Sequence, residues 1–82
     1  MHAAKLSASP RLKRLGRALW AQKWTSTMEL CRKARVVAVS AAVSELRDQG
    51  WRIECRQRQG RYGRVFEYSV HSMPKAHEAV LD

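Results

Sequence analysis

The stretch VSAAVSELRDQGWRIE, residues 39–54, changes its hydrophobic period at one glycine. Before Gly50, the residues Val39, Val43 and Leu46 recur at i, i+4 and i+7, which is one stripe of a helix. After it, Trp51, Ile53 and Cys55 alternate with Arg52, Glu54 and Arg56, the period of a half-buried antiparallel strand. Gly50 suits the position just past the helix end, where a left-handed backbone stops the helix. The next apolar run, VFEYSV at 65–70, puts Phe66, Tyr68 and Val70 on one face and Val65, Glu67 and Ser69 on the other. Between the two runs lies the polar segment QRQGRYG, so the pair reads as a hairpin around a glycine-containing loop. Glu54 and Glu67 fall where they can face each other across it, although such an exposed pair matches strand arginines better than catalysis.

Upstream, Ser9-Pro10 is a helix start, with serine as cap and proline where its missing N–H costs nothing. Leu12, Leu15 and Leu19 follow at helical spacing, which predicts a helix over 10–22 that Gly16 weakens modestly. A very short strand is expected at Trp24-Thr25. Ser26 and Glu29 stand at the spacing of a capping box, which opens a second helix over 27–33. RKARV then carries no glycine or proline, so the turn into the third helix rests on the change of apolar phase alone. The expected fold class is α+β: three helices and a C-terminal two-stranded hairpin over residues 9–70. Residues 1–8 read as a flexible lead-in and 71–82 as a flexible tail, with a short added helix as the other option there. Trp20, Trp24 and Trp51 suit a small core, whereas an exposed Trp20 or Trp24 would suit a dimer or partner interface.

Sixteen Lys+Arg against seven Asp+Glu in 82 residues leave a net charge of +9, which favours a polyanionic partner. The excess lies at the two ends of the domain. Residues 1–24 carry six basic side chains and no acid, and residues 51–70 carry five arginines against two glutamates. The first 24 residues also have the composition of an organellar transit peptide or a membrane-surface helix, without the apolar core of a secretory signal. The expectation here is instead that residues 9–24 belong to the domain. Cys31 and Cys55 show no disulfide or metal spacing, and each reads as a buried free thiol in a reducing, intracellular setting. No run approaches the ~20 apolar residues of a membrane span. No carboxylate pair, Cys–His arrangement, phosphate-cradling loop or metal cluster stands out, so neither an enzyme nor a cofactor is expected.

The segment VVAVSAAVSELRDQGWRIECRQ, with the basic loop and VFEYSV behind it, resembles small winged helix-turn-helix proteins of phages and prophages. Val39, Val43, Glu45, Leu46, Arg47, Gly50, Trp51, Ile53 and Tyr68 carry the resemblance. It departs at Ala42, where many such proteins have arginine. The resemblance covers about residues 10–70. It implies a DNA-binding regulator or architectural factor of the bacterial cytoplasm or nucleoid, with double-stranded DNA as partner and a homodimer or protein partner as a further option. The third helix would enter the major groove, offering Arg35, Val37, Ser40, Ala41, Ser44 and Arg47. The wing would contribute Arg56, Arg58, Arg61, Tyr62 and Arg64 to phosphates or a minor groove. Ser40, Ala41 and Ser44 equally suit a plain solvent face, and Arg47 and Glu45 equally suit pairing with neighbours. The other reading of the whole is a winged-helix adaptor whose basic surface meets an acidic protein.

Overall fold

A computed structural model describes residues 9–81; residues 1–8, expected to be a flexible lead-in, lie outside the described residues, as does Asp82. The described elements run α1 (Pro10–Ala21), β1 (Thr25–Ser26), α2 (Thr27–Ala34), α3 (Val39–Asp48), β2 (Arg52–Gly60), β3 (Gly63–Ser72) and α4 (Lys75–Leu81). The three strands form one antiparallel sheet in the order β1-β3-β2.

Each helix end follows from its local sequence. Ser9 Oγ accepts from the Leu12 amide at 3.2 Å, with Pro10 at the first turn of α1. The α2 capping box forms in both directions: Glu29 N–H donates to Ser26 Oγ, and Ser26 N–H donates to Glu29 Oε1. At the end of α3, Gly50 takes φ +99°. Its amide donates to Arg47 O, and that of Trp51 to Leu46 O, the two bonds of a Schellman motif. Leu12, Leu15, Leu19, Leu30, Val43 and Leu46 are fully buried, and Trp51, Ile53 and Tyr68 close the core from the sheet side.

The arginines of α1 are structural clamps as well as surface charge. Arg11 pairs with Glu45 of α3, Arg14 Nε donates to Ala34 O at the end of α2 at 2.8 Å, and Arg17 Nε donates to Leu81 O of α4 at 3.1 Å. One helix thus ties down the other three. Hydrogen bonds to helix C-terminal carbonyls also place positive charge at the negative end of the helix dipole.

Four expectations need correction. The hairpin has no seven-residue loop: strand pairing continues to Gly60↔Gly63, and Arg61-Tyr62 alone make the turn. Residues 57–60 are polar on both faces, so a strand formed there by backbone pairing leaves no apolar alternation to read. Glu54 and Glu67 do not face each other, because the register pairs Glu54 with Ser69 and Glu67 with Arg56. Both cysteines are free, yet Cys31 is only half-buried and Cys55 is exposed, where β2 runs out beyond the helical layer.

The tail, expected to be loose, folds into α4 and returns to α1. Trp51 Nε1–H donates to His77 Nδ1 at 2.8 Å. Gly16, which reads in sequence as a weak point of α1, is where this packing needs a bare backbone. A Cβ there would stand 3.0 Å from Trp51 and 3.3 Å from Leu81.

Candidate nucleic-acid interface

The exposed face of α3 starts before the helix does. Val37, 96% exposed, stands in the turn two residues ahead of the first helical residue, and Ser40, Ala41 and Ser44 form one exposed stripe of the helix itself. No side chain on that stripe is charged until Asp48 at the C-terminal end. The first turn of α3 is capped by Ala38, which supplies no side-chain hydrogen bond, so its leading amides have no such partner. Arg35, in the turn before it, takes a left-handed conformation with φ 54° and ψ 43°. Its side chain is exposed and makes no hydrogen bond or ion pair among the described residues. The positive end of α3 is therefore the end with open amides and a nearby cation, and the negative end carries the acid.

Arg47 is placed differently from the rest of its helix. Its guanidinium donates from both Nε and NH2 to Ile53 O, at 3.3 and 2.9 Å, which fixes it across the corner between α3 and β2. Glu45 is held by Arg11. Ala42 is fully buried, so the alanine there packs in the core and takes nothing from the exposed stripe.

Side chains alternate across a sheet, and here the alternation divides the wing residues. Ile53 and Tyr68 point toward the helices. Farther out on that same face lie Gln57, Phe66, Gln59 and Arg64, by the pairs Gln57↔Phe66 and Gln59↔Arg64. Arg56 and Arg58 belong to the opposite face. There the carboxylate of Glu67, a buried residue, accepts from Arg56 and Arg58, each at 3.0 Å, and the Arg56 guanidinium lies 3.8 Å from the centre of the Trp24 ring. The hydrogen bond from Arg58 first, then that from Arg56, holds the Glu67 carboxyl below its ordinary range, although desolvation pulls it the other way. Both arginines are thus ordered and partly neutralised.

Arg61, Tyr62 and Arg64 remain at the tip. Tyr62 is 95% exposed, the Arg61 guanidinium sits 5.8 Å from its ring, and no acid pairs with Arg61 or Arg64 among the described residues. Neither turn residue has positive φ; the unusual backbone falls on Gly63 at φ +122°, with nothing near a Cβ.

Between α3 and β3 lies a shallow hollow lined by Val37, Ala38, Ser40, Phe66 and Tyr68, and a second, more apolar one continues past Thr27 and Phe66 to Met28 and Cys31. Met28 is 81% exposed and Phe66 is 44% exposed. Of the side chains singled out by sequence, the structure brings Val37, Ser40, Ala41, Ser44 and Arg35 together at the leading end of α3, and Arg61, Tyr62 and Arg64 at the tip. Arg47, Arg56 and Arg58 are engaged within the protein. Sequence reasoning matched Glu67 to strand arginines but missed that it holds two of them at once, Arg56 and Arg58, because only the strand register puts it beside both. It also missed the stacking role of Trp24.

A family model described as a winged helix-turn-helix domain matches residues 11–72, from the start of α1 to the end of β3. No curated protein and no solved structure matches the chain.

Proposed function

The chain belongs to the winged helix-turn-helix domain family, and we propose that it is a duplex-DNA-binding module of a regulator or architectural factor of the bacterial cytoplasm or nucleoid. α3 enters the major groove by its N-terminal end, where Arg35 and the leading amides meet phosphate and Ser40, Ala41 and Ser44 face the bases. The wing supplies the second contact. From Cys55, at the edge of the helical layer, to Arg61 is about 20 Å at ~3.4 Å per residue. That spans the ~17 Å half-turn from a major groove to the next minor groove, so Arg61 and Arg64 reach either its phosphates or its floor.

The observation that carries this reading is the placement of three exposed arginines, Arg35, Arg61 and Arg64, which have no acid partner among the described residues and flank an uncharged helical stripe. Arg56 and Arg58, already paired with Glu67, add to the field that draws DNA in and contribute less to direct contact. Three to five phosphate contacts give a log–log salt slope between about −3 and −5. A gel shift with random-sequence duplex over a salt series tests the proposal. Binding at low salt that weakens with such a slope supports it; no binding at low salt rejects it.

A second reading is a winged-helix adaptor for an acidic protein, alone or as a homodimer, and one observation favours it. Trp20 is 53% exposed, on the α1 side of the sheet, and large aromatics so placed serve as interface anchors. Failure to bind DNA at low salt is the result that this reading expects.

A further inference from the structure

If the module binds duplex DNA as proposed above, α3 must read sequence with the side chains it actually exposes. Bidentate readers are missing from the stripe: it holds no arginine, asparagine or glutamine, and the nearest arginine of the helix, Arg47, has its guanidinium fixed on Ile53 O. Serine hydroxyls donate and accept equally, so Ser40 and Ser44 distinguish bases poorly. What the stripe does present is methyl groups. Val37 is 96% exposed in the turn just ahead of α3, and Ala41 is exposed on the first turn of the helix. Neither packs against the core, and a valine so exposed gains nothing for stability. In the major groove the one apolar group on a base edge is the C5-methyl of thymine.

We propose that α3 recognises thymine C5-methyl groups through Val37 and Ala41, so that the preferred ligand is thymine-rich duplex DNA. The acidic Asp48 lies at the far end of the stripe and keeps that end out of the groove, which leaves the Val37 end as the one inserted. Polar contacts to phosphate would hold the helix in place, and the methyl contacts would choose the register.

Uracil offers the same hydrogen-bonding edge as thymine without the methyl, which makes the test direct. A random-sequence duplex pool is synthesised with either thymidine or deoxyuridine, and the two are compared by competition for the full chain. Each methyl contact is worth about fourfold in affinity, the equivalent of ~0.8 kcal/mol per buried carbon. The thymidine pool should therefore win by about fourfold for one contact and roughly 15-fold for two. In the double variant Val37→Ser, Ala41→Ser, which touches only exposed positions, the ratio should fall to about one. Equal binding of the two pools by the native chain overturns the inference while leaving DNA binding intact. A preference for thymidine that persists in the double variant also overturns it, since the cause is then DNA shape. Failure to bind either pool rejects the DNA-binding reading itself.

Discussion

Arg35 holds a left-handed backbone that a glycine would adopt without cost, at the turn that presents α3. For a side chain with a Cβ that conformation costs ~1–2 kcal/mol. Replacing it by glycine relieves this cost and adds back ~0.5–1 kcal/mol of backbone entropy lost on folding. The expected net effect of Arg35→Gly is a gain of about 0.5 kcal/mol, since no other described contact is lost. For a domain of this size that raises Tm by roughly 2–4 °C. The same change removes one cation beside the leading end of α3, so the magnitude of the log–log salt slope for duplex DNA should drop by ~0.9. Arg35→Ala is the companion: it loses the same cation but keeps the strained backbone, so its slope should match that of the glycine variant without the rise in Tm. Thermal melts and salt-dependent gel shifts on the three proteins measure both quantities. A glycine variant that melts at or below the native temperature refutes the strain argument. An unchanged salt slope in both variants removes Arg35 from the interface.

Four further outcomes are expected. Arg61→Ala with Arg64→Ala should lower the magnitude of the salt slope by about 2 while leaving Tm unchanged, as befits exposed tip residues. A slope that stays put would take the wing out of the mechanism. Glu67 has a depressed carboxyl, so the order it gives the wing is complete above the ordinary carboxylate range and is lost as pH falls below that range. Indole shifts of Trp24 followed by NMR should show this acid step in the native chain and none in Glu67→Gln, where the stack with Arg56 is weakened at every pH. Thr25 is fully buried and its hydroxyl has no hydrogen-bond partner among the described residues, so Thr25→Val should raise stability by about 1 kcal/mol in urea melts; a loss would mean that the hydroxyl is satisfied. His77→Ala leaves the Trp51 indole N–H without its acceptor, and hydrogen exchange should show residues 75–81 opening more readily with DNA binding unaffected.

The parts of this fold that one element decides for itself were legible in the sequence. The Ser26–Glu29 box, the Ser9-Pro10 start and the Gly50 stop are local chemistry, and all three sit where their spacing puts them. What the sequence did not reveal depends on contacts between distant segments. The wing strands extend to within two residues of each other by backbone pairing, which leaves no trace in a polar sequence such as QRQG. The tail helix is too short to show a stripe; it holds because Trp51, Gly16 and Arg17, far back in the chain, receive it. The candidate site divides in the same way. Ser40, Ala41 and Ser44 share one exposed face of α3 as helical spacing predicts, whereas Val37 stands in the turn before the helix. That Arg47, Arg56 and Arg58 are held by Ile53 O and Glu67 required the corner and the register.

The central claim is that DNA meets the leading end of α3 and the tip of the wing together. Amide chemical-shift mapping of the isotope-labelled chain, titrated with a short duplex at low salt, tests it most directly. The account predicts shifts concentrated at residues 35–44 and 61–64, with Trp20 and α4 unmoved. Shifts confined to the Trp20 side of α1, or no shifts at all, would contradict it.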